Sequence, residues 1–108
     1  MKKDASLEIT AFTIEQIWNS DSGDERLIKV HCMVRAIVER DTIRGSKIAF
    51  CDLQDPSGTI EMIAFPSSWE KHREQLKLAL NAKSSLCLVC CLKFEDQKPV
   101  VIWDDIFH

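Results

Sequence analysis

Apolar and polar side chains alternate along residues 27–40, which is the longest regular pattern in the chain. One parity is apolar: Ile28, Val30, Cys32, Val34, Ala36 and Val38. The other parity is mixed: Lys29, His31, Met33, Arg35, Ile37 and Glu39. Because successive side chains of a strand point to opposite faces, the pattern predicts one long strand with a buried face and a mixed face.

Two further strands are predicted at residues 47–54 and 59–65, which are rich in β-branched and apolar residues. The sequence between them, at 55–58, has the composition of a β-turn. Pro56 fixes φ, and Gly58 tolerates the positive φ that such turns often need. The first three strands are therefore predicted to form a meander.

The spacing of apolar residues then changes to that of a helix. Pro66 suits the first helical position, and Ser67 or Ser68 is predicted to be the N-cap. After the helix, residues 85–94 and 99–103 are predicted as two strands joined by a short polar turn. The second half of the chain therefore consists of one helix followed by a hairpin.

Residues 1–26 form a lead-in whose structure is ambiguous. Thr13 and Gln16 have the spacing of a capping box, so both a short helix and a strand fit this segment. We therefore divide the chain into a lead-in at 1–26 and one domain at 27–108.

Three strands, a helix and a two-stranded hairpin follow one another in the order of the OB-fold, a small Greek-key barrel. We predict an all-β protein: a five-stranded OB-fold barrel with one helix between its third and fourth strands and a short N-terminal extension. The length of 108 residues suits a single domain of this kind.

The net charge of −3, with 14 basic and 17 acidic residues, excludes a strongly basic binder of the histone type. This negative net charge comes from residues 1–26, which carry three basic and six acidic side chains. Residues 29–47 carry five basic and two acidic side chains. A basic segment therefore lies inside a balanced domain, and weak, salt-sensitive binding of a polyanion remains compatible with the composition.

Overall composition is that of an ordinary globular domain, with 45% hydrophobic and 29% charged residues. No apolar run approaches the roughly 18 residues that would span a bilayer. The charged residues 1–4 are not followed by the apolar stretch of a secretory signal. We expect a cytoplasmic protein without a membrane partner.

The five cysteines are Cys32, Cys51, Cys87, Cys90 and Cys91. An odd number without a secretory signal favours reduced thiols. Cys87 and Cys90 have the CxxC spacing of a zinc or redox site, but structural zinc usually needs a second such pair. The cysteines lie in apolar runs, so we interpret them as packing residues and expect no metal.

The segment at 42–66, TIRGSKIAFCDLQDPSGTIEMIAFP, resembles the OB domain of the bacterial replicative DNA polymerase III alpha subunit. It is similar, more distantly, to the anticodon-binding OB domains of class II aminoacyl-tRNA synthetases. The resemblance extends over residues 27–103. The shared positions in the segment are Gly45, Phe50, Leu53, Asp55, Gly58, Glu61 and Phe65.

The resemblance implies a non-catalytic domain that binds single-stranded nucleic acid, DNA more than RNA, as part of a larger polymerase or replication and repair assembly. Both an excised domain and a stand-alone relative fit. The family usually has glycine where Cys32 and Cys90 stand here. Glycine permits a sharper bend at a barrel corner, so we expect the strands to bend differently at these positions.

A surface that holds a single strand needs aromatic faces for bases and cations for phosphates. Phe50 has the opposite parity to its apolar neighbours, so a regular strand would point it outward, whereas a bulge near Asp52 would return it to the core. In the anticodon-binding relatives the matching phenylalanine stacks a base. Taken singly, each cation is better explained as a solvated strand residue, whereas together the cations favour phosphate contact. The candidate nucleic-acid-binding residues are Lys29, Arg35, Arg40, Arg44, Lys47, Phe50, Phe65 and Lys93.

The three histidines lie in different predicted elements, and no G-x-S-x-G, P-loop or G-x-G-x-x-G motif is present. We therefore expect no enzymatic activity in this chain alone and no cofactor. Two alternatives to single-stranded DNA binding stay open, since a fold does not decide function. One is a protein-interaction or oligomerisation module that uses Phe12, Ile17 and Trp18, and the other is an RNA binder of the tRNA-anticodon type.

Overall fold

A closed barrel of five strands forms the body of the protein in a computed structural model that describes residues 9–107. The barrel strands are β2 (Arg26–Asp41), β3 (Lys47–Asp55), β4 (Gly58–Ala64), β5 (Ser85–Glu95) and β6 (Lys98–Ile106). A two-residue strand outside the barrel, β1 (Thr10–Ala11), pairs in parallel with β2. The barrel order is β2–β3–β4–β6–β5, and β5 pairs again with β2. All barrel pairs are antiparallel except β4 with β6. The predicted all-β five-stranded barrel is confirmed, and its order is compatible with an OB-like fold.

The main helix, α2 (Pro66–Ala82), connects β4 to β5, which are the third and fourth strands of the barrel. Pro66 occupies the first turn, where a missing N–H breaks no helical hydrogen bond. The N-cap is Phe65 and not one of the two serines, so that detail of the prediction is wrong. The hydroxyl of Ser68 instead donates to the carbonyl of Trp103 at 3.0 Å, which ties the start of α2 to β6.

The core of the barrel is filled by apolar side chains from every barrel strand and from α2. Trp69 of α2 and Trp103 of β6 are buried against each other, with ring centroids 6.4 Å apart and planes at 60°. This edge-to-face arrangement is favourable for aromatic pairs. The two tryptophans therefore hold α2 against the barrel.

A bulge in β2 changes which side chains of this strand face the core. The β2–β3 register is interrupted between Val34 and Ala36. Beyond the interruption, Ile37 packs against the core while Val38 is 47% exposed, which is the reverse of the predicted parity. An extra residue in one strand moves every later side chain to the opposite face. The prediction that Ala36 and Val38 continue the buried face of this strand is therefore wrong, because both residues follow the start of the bulge.

The lead-in contributes to the barrel core. Its helix, α1 (Ile14–Trp18), begins with the capping box that was anticipated for Thr13 and Gln16. Both Ile14 and Ile17 are 0% exposed and belong to the core cluster. The suggestion that Ile17 is part of an exposed docking segment is therefore wrong.

β2 exchanges its partners at Met33, which pairs with Ser85 of β5 and with Gln54 of β3. Cys32, the preceding residue, is 3% exposed. A second register shift lies next to Cys90 in the pairing of β5 with β6. Cys32 and Cys90 therefore lie next to places where a strand changes partner or register.

Candidate functional site

Phe50 lies on the outer face of β3 and is only half-buried. It pairs with Val38 of β2 and with Ile63 of β4, and Ile63 pairs with Ile102 of β6. The bulge that could have turned Phe50 inward is in β2 and not in β3. The inward side chains of β3, all 0% exposed, are Ala49, Cys51 and Leu53. We call the outer apolar stripe the Phe50 row; it consists of Val38, Phe50, Ile63 and Ile102.

Cations collect at the end of the barrel where the β2–β3 loop lies near α2. Lys47 Nζ lies 2.6 Å from Asp41 Oδ1. The pKa of Lys47 is raised, because this hydrogen bond and the charge of Asp41 outweigh the opposing effect of the nearby Arg73 guanidinium. Arg40 and Arg44 are exposed, and no ion pair among the described residues involves either of them. These two guanidinium groups are therefore available to an anion.

Two cations of α2, Arg73 and Lys77, join this end and were not among the predicted residues. Lys77 Nζ lies 3.8 Å from Glu39 Oε1 and 5.8 Å from the ring centroid of Trp69. A spacing of four residues puts both cations on one helix face. The sequence contains that spacing, but only the packing of α2 shows that this face lies near the end of β2 and the start of β3. We call this group the basic cluster; it consists of Arg40, Arg44, Lys47, Arg73 and Lys77.

An open groove of about 630 Å³ lies at the opposite end of the same outer face. Asp52 of β3 and Glu61 of β4 are directly opposite each other in the register, and both are exposed. The guanidinium of Arg35 donates to the side-chain carbonyl of Gln54 within the groove. We call it the Trp18 groove; its lining residues are Trp18, Arg35, Asp52, Gln54, Thr59, Ile60 and Glu61.

The structure separates the predicted site residues into three places. Arg40, Arg44 and Lys47 lie in the basic cluster, and Phe65, 43% exposed, follows β4 beyond Ile63 at the same end. Arg35 lies in the Trp18 groove. Phe50 lies between these two places on β3, and the last two, Lys29 and Lys93, lie on the parts of the barrel formed with β5.

The two lysines near β5 have surroundings of their own. Lys29 Nζ lies 4.2 Å from the ring centroid of Phe107, a cation–π contact. Lys93 is exposed opposite Val100, and β6 separates it from β4. Neither lysine lies on the face that carries Phe50.

Asp55 fixes the position of α1 relative to this face. Its carboxylate accepts hydrogen bonds from the backbone N–H groups of Ile14, Ser57 and Gly58 and from the Ser57 hydroxyl. Burial acts to raise the pKa of Asp55, but the hydrogen bonds outweigh it and the pKa is lowered. The backbone N–H of Glu15 also donates to the Ser57 hydroxyl at 2.9 Å. The β3–β4 turn therefore holds the first turn of α1.

The cysteines form no disulfide, and all five lie in the described part of the chain. Burial raises the pKa of Cys32 and of Cys51 to about 12. Burial also raises the pKa of Cys87, which is partly exposed. Within residues 9–107, no three His, Cys, Asp or Glu side chains come together in a group that could hold a metal ion.

A known protein shares the fold of this chain, although none matches it by sequence. No family model matches the chain, and no curated protein matches it by sequence. Its structure is similar to that of a candidate nucleic acid-binding lipoprotein from Klebsiella pneumoniae subsp. pneumoniae, with a TM-score of 0.69 and 16% identity. The match covers 100% of this chain and 99% of the other. At this identity it shows a common fold alone.

The more specific resemblance to the OB domain of the polymerase III alpha subunit stays a prediction.

No helix within residues 9–107 is long and apolar enough to cross a membrane.

Proposed function

We propose that the barrel binds single-stranded nucleic acid, DNA in the first place, across the outer face of β3 and β4. Bases would stack on Phe50 and lie along the Phe50 row, while phosphates would contact the basic cluster. The observation that carries the proposal is that Phe50 shares the outer face with Arg40, which lies two residues beyond Val38, the partner of Phe50 in β2. The exposed Arg44 lies in the loop that follows. Aromatic stacking and backbone charge are the two contributions on which sequence-tolerant strand binding depends.

Two further observations support the proposal. The outer face of the second and third barrel strands is the surface that OB-folds use for oligonucleotides. The structurally similar Klebsiella protein is described as a candidate nucleic acid binder. We propose a supporting role in replication or repair, without catalysis in this chain, and binding that a larger assembly would reinforce.

We also propose a cytoplasmic location. Five unpaired thiols, three of them buried, suit a reducing compartment. Mass-spectrometric counting of reduced thiols in protein taken directly from cells, alkylated at lysis, tests this. Disulfides in that sample would contradict it.

The test is a fluorescence titration of short labelled single-stranded DNA at several salt concentrations. If about three phosphates are neutralised, the logarithm of affinity falls against the logarithm of salt with a slope of about −2 for a single strand. Phe50→Leu, which keeps an apolar strand residue but removes the ring, is expected to weaken binding about fivefold or more. Arg44→Ala is expected to reduce the magnitude of the slope by about 0.7.

The matched control is Lys71→Ala, because Lys71 lies on the solvent face of α2 outside the basic cluster. It loses the same charge and is expected to leave the slope unchanged. Equal effects of Lys71→Ala and Arg44→Ala would show that only net charge matters. Absence of binding at about 20 mM salt, where ionic contacts are strongest, would overturn the proposal.

A protein-interaction module remains the second candidate, because Val38 and Phe65 expose 47% and 43% of their surface on this same face. Exposed apolar groups that lie together are typical of contacts between proteins. Sedimentation of the protein alone tests self-association. A monomer that binds oligonucleotide favours the first candidate, and an oligomer that is dispersed by Val38→Thr favours the second.

A further inference from the structure

The Trp18 groove adjoins the proposed strand-binding face but has the wrong charge for phosphate. Asp52 follows Phe50 by two residues on the same outer face of β3, which places it about 7 Å farther along the strand. With Arg35 counted against Asp52 and Glu61, the groove carries one net negative charge. A phosphate would be repelled there, so a different part of a bound nucleotide must fit this groove.

Trp18 offers a flat apolar surface at one side of the groove. It is 52% exposed, and its indole N–H donates to the carbonyl of Thr59 at 2.9 Å. The polar edge of the ring is thereby satisfied and its plane is fixed, so the exposed part is the ring itself. Because α1 is held by the β3–β4 turn, the ring is positioned before any ligand arrives.

The polar side chains beside that ring include both strong acceptors and a donor. Asp52 and Glu61 are like charges directly opposite each other, an arrangement that costs stability in a sheet. No ion pair within the described residues relieves either carboxylate. Arg35 and Gln54 are joined by a hydrogen bond on the neighbouring positions. Two unneutralised acceptors therefore lie next to a guanidinium group.

This arrangement matches the edges of bases that carry an exocyclic amino group. A carboxylate accepts from the N4 amino group of cytosine, and a guanidinium donates to ring nitrogen or carbonyl acceptors. Guanine and adenine also present amino groups to an acceptor. Thymine and uracil instead present carbonyl oxygens on both sides of one N–H, and two carboxylates would repel those oxygens.

We propose that the Trp18 groove is a base-selective subsite that accepts an amino-bearing base, cytosine above all, stacked on Trp18 and hydrogen-bonded to Asp52 and Glu61. The subsite disfavours thymine and uracil. The inference rests on the proposed function, because it concerns a nucleotide next to the one that Phe50 holds. It adds sequence preference to a face that stacking alone would leave sequence-tolerant.

The experiment compares the affinities of labelled dC8 and dT8 for the wild type and for two variants at pH 7.5. The wild type is expected to bind dC8 at least about fivefold more tightly than dT8. Glu61→Leu removes a charge and an acceptor, so it is expected to weaken dC8 and to tighten dT8. The control is Glu70→Leu, the same exchange on the solvent face of α2, which is expected to shift both affinities together.

The direction of the change separates the possible outcomes. If Glu61→Leu tightens both oligonucleotides equally, the carboxylates only repel phosphate and the subsite is refuted while strand binding stands. Equal binding of dC8 and dT8 by the wild type leads to the same conclusion. If neither oligonucleotide binds, the proposed function fails as well. A labelled arginine-rich peptide is then titrated, and binding that Glu61→Leu abolishes would assign the groove to a cationic protein segment.

Trp18 provides a second measurement that a purely structural role would not change. The other two tryptophans are buried, so ligand-dependent quenching of emission should come from Trp18. We expect dC8 to quench that emission and Trp18→Leu to abolish both the quenching and the preference for dC8. Quenching that persists in Trp18→Leu would overturn the placement of the base.

Discussion

The side-chain oxygen Oδ2 of Asp55 accepts a hydrogen bond from the backbone N–H of Ile14 at 2.9 Å, across 41 positions of sequence. Its other oxygen accepts three hydrogen bonds from Ser57 and Gly58 within the β3–β4 turn. One carboxylate thus closes a turn of the barrel and begins the helix that carries Trp18. The lead-in and the outer face are thereby joined at a single titratable group.

The stability of the protein is expected to fall in acid through Asp55. Its folded-state pKa is lowered, so its contribution is complete above the unfolded value of about 3.9 and is lost as pH falls through the folded value. Asp55→Asn should cost about 1–2 kcal/mol at pH 7, and the difference from wild type should shrink below about pH 4. Urea denaturation at pH 7, 4 and 3 measures this.

Asp104→Asn is the control for that experiment, because it removes the same charge from an exposed position of β6 that forms no ion pair within residues 9–107. It is expected to keep the acid dependence of the wild type. A difference between wild type and Asp55→Asn that stays constant from pH 7 to pH 3 would contradict the assignment.

Ile17 is expected to be essential for stability although it lies in the lead-in. It is 0% exposed and part of the barrel core, so Ile17→Ala should cost about 3 kcal/mol. Trp18→Ala, at the adjacent half-exposed position, should cost about 1 kcal/mol, mainly from the lost hydrogen bond to Thr59. Denaturation midpoints of both variants check this, and an equal loss would indicate that α1 packs differently.

The cysteines should divide into two groups by their reaction with alkylating reagents. Cys32, Cys51 and Cys90 are buried with raised pKa values, so they should react only when the protein unfolds. Cys87 and Cys91 are partly exposed and should react in the native state at pH 8. Mass spectrometry of time points with and without urea locates the label. Rapid native labelling of Cys51 would contradict its burial.

The turn between β5 and β6 should become more stable when one of its residues is replaced by glycine. Asp96 and Gln97 both have positive φ, at 52° and 65°, as a two-residue hairpin turn of type I′ requires. Gln97→Gly is expected to stabilise the protein by about 0.5–1 kcal/mol, because glycine avoids the left-handed strain. Thermal denaturation measures it. Lys98→Gly, within β6, should lower the midpoint instead.

The strand order could be predicted from the sequence, because alternation, turn residues and a change of period are local properties. The bulge in β2 could not, since Ile37 and Val38 are both apolar and alternation is indifferent to which of them is buried. The placement of Phe50 stayed open for the same reason, because the sequence does not show whether a bulge near Asp52 lies in β3 or, as found, in β2. Where Arg73 and Ile17 would lie depended on how each helix packs, which is a long-range property that spacing does not encode.

The double pairing of β2 has a consequence for the order in which the chain can fold. Its later residues pair with β3, close in sequence, whereas Arg26 pairs with Leu92 of β5. During synthesis β1 can pair with one edge of the early half of β2, but the other edge must wait for β5. Late closure of distant strands slows folding and leaves an unpaired edge in the meantime. A partner that shields this edge on the ribosome would raise the yield of folded protein without any contact in the finished barrel.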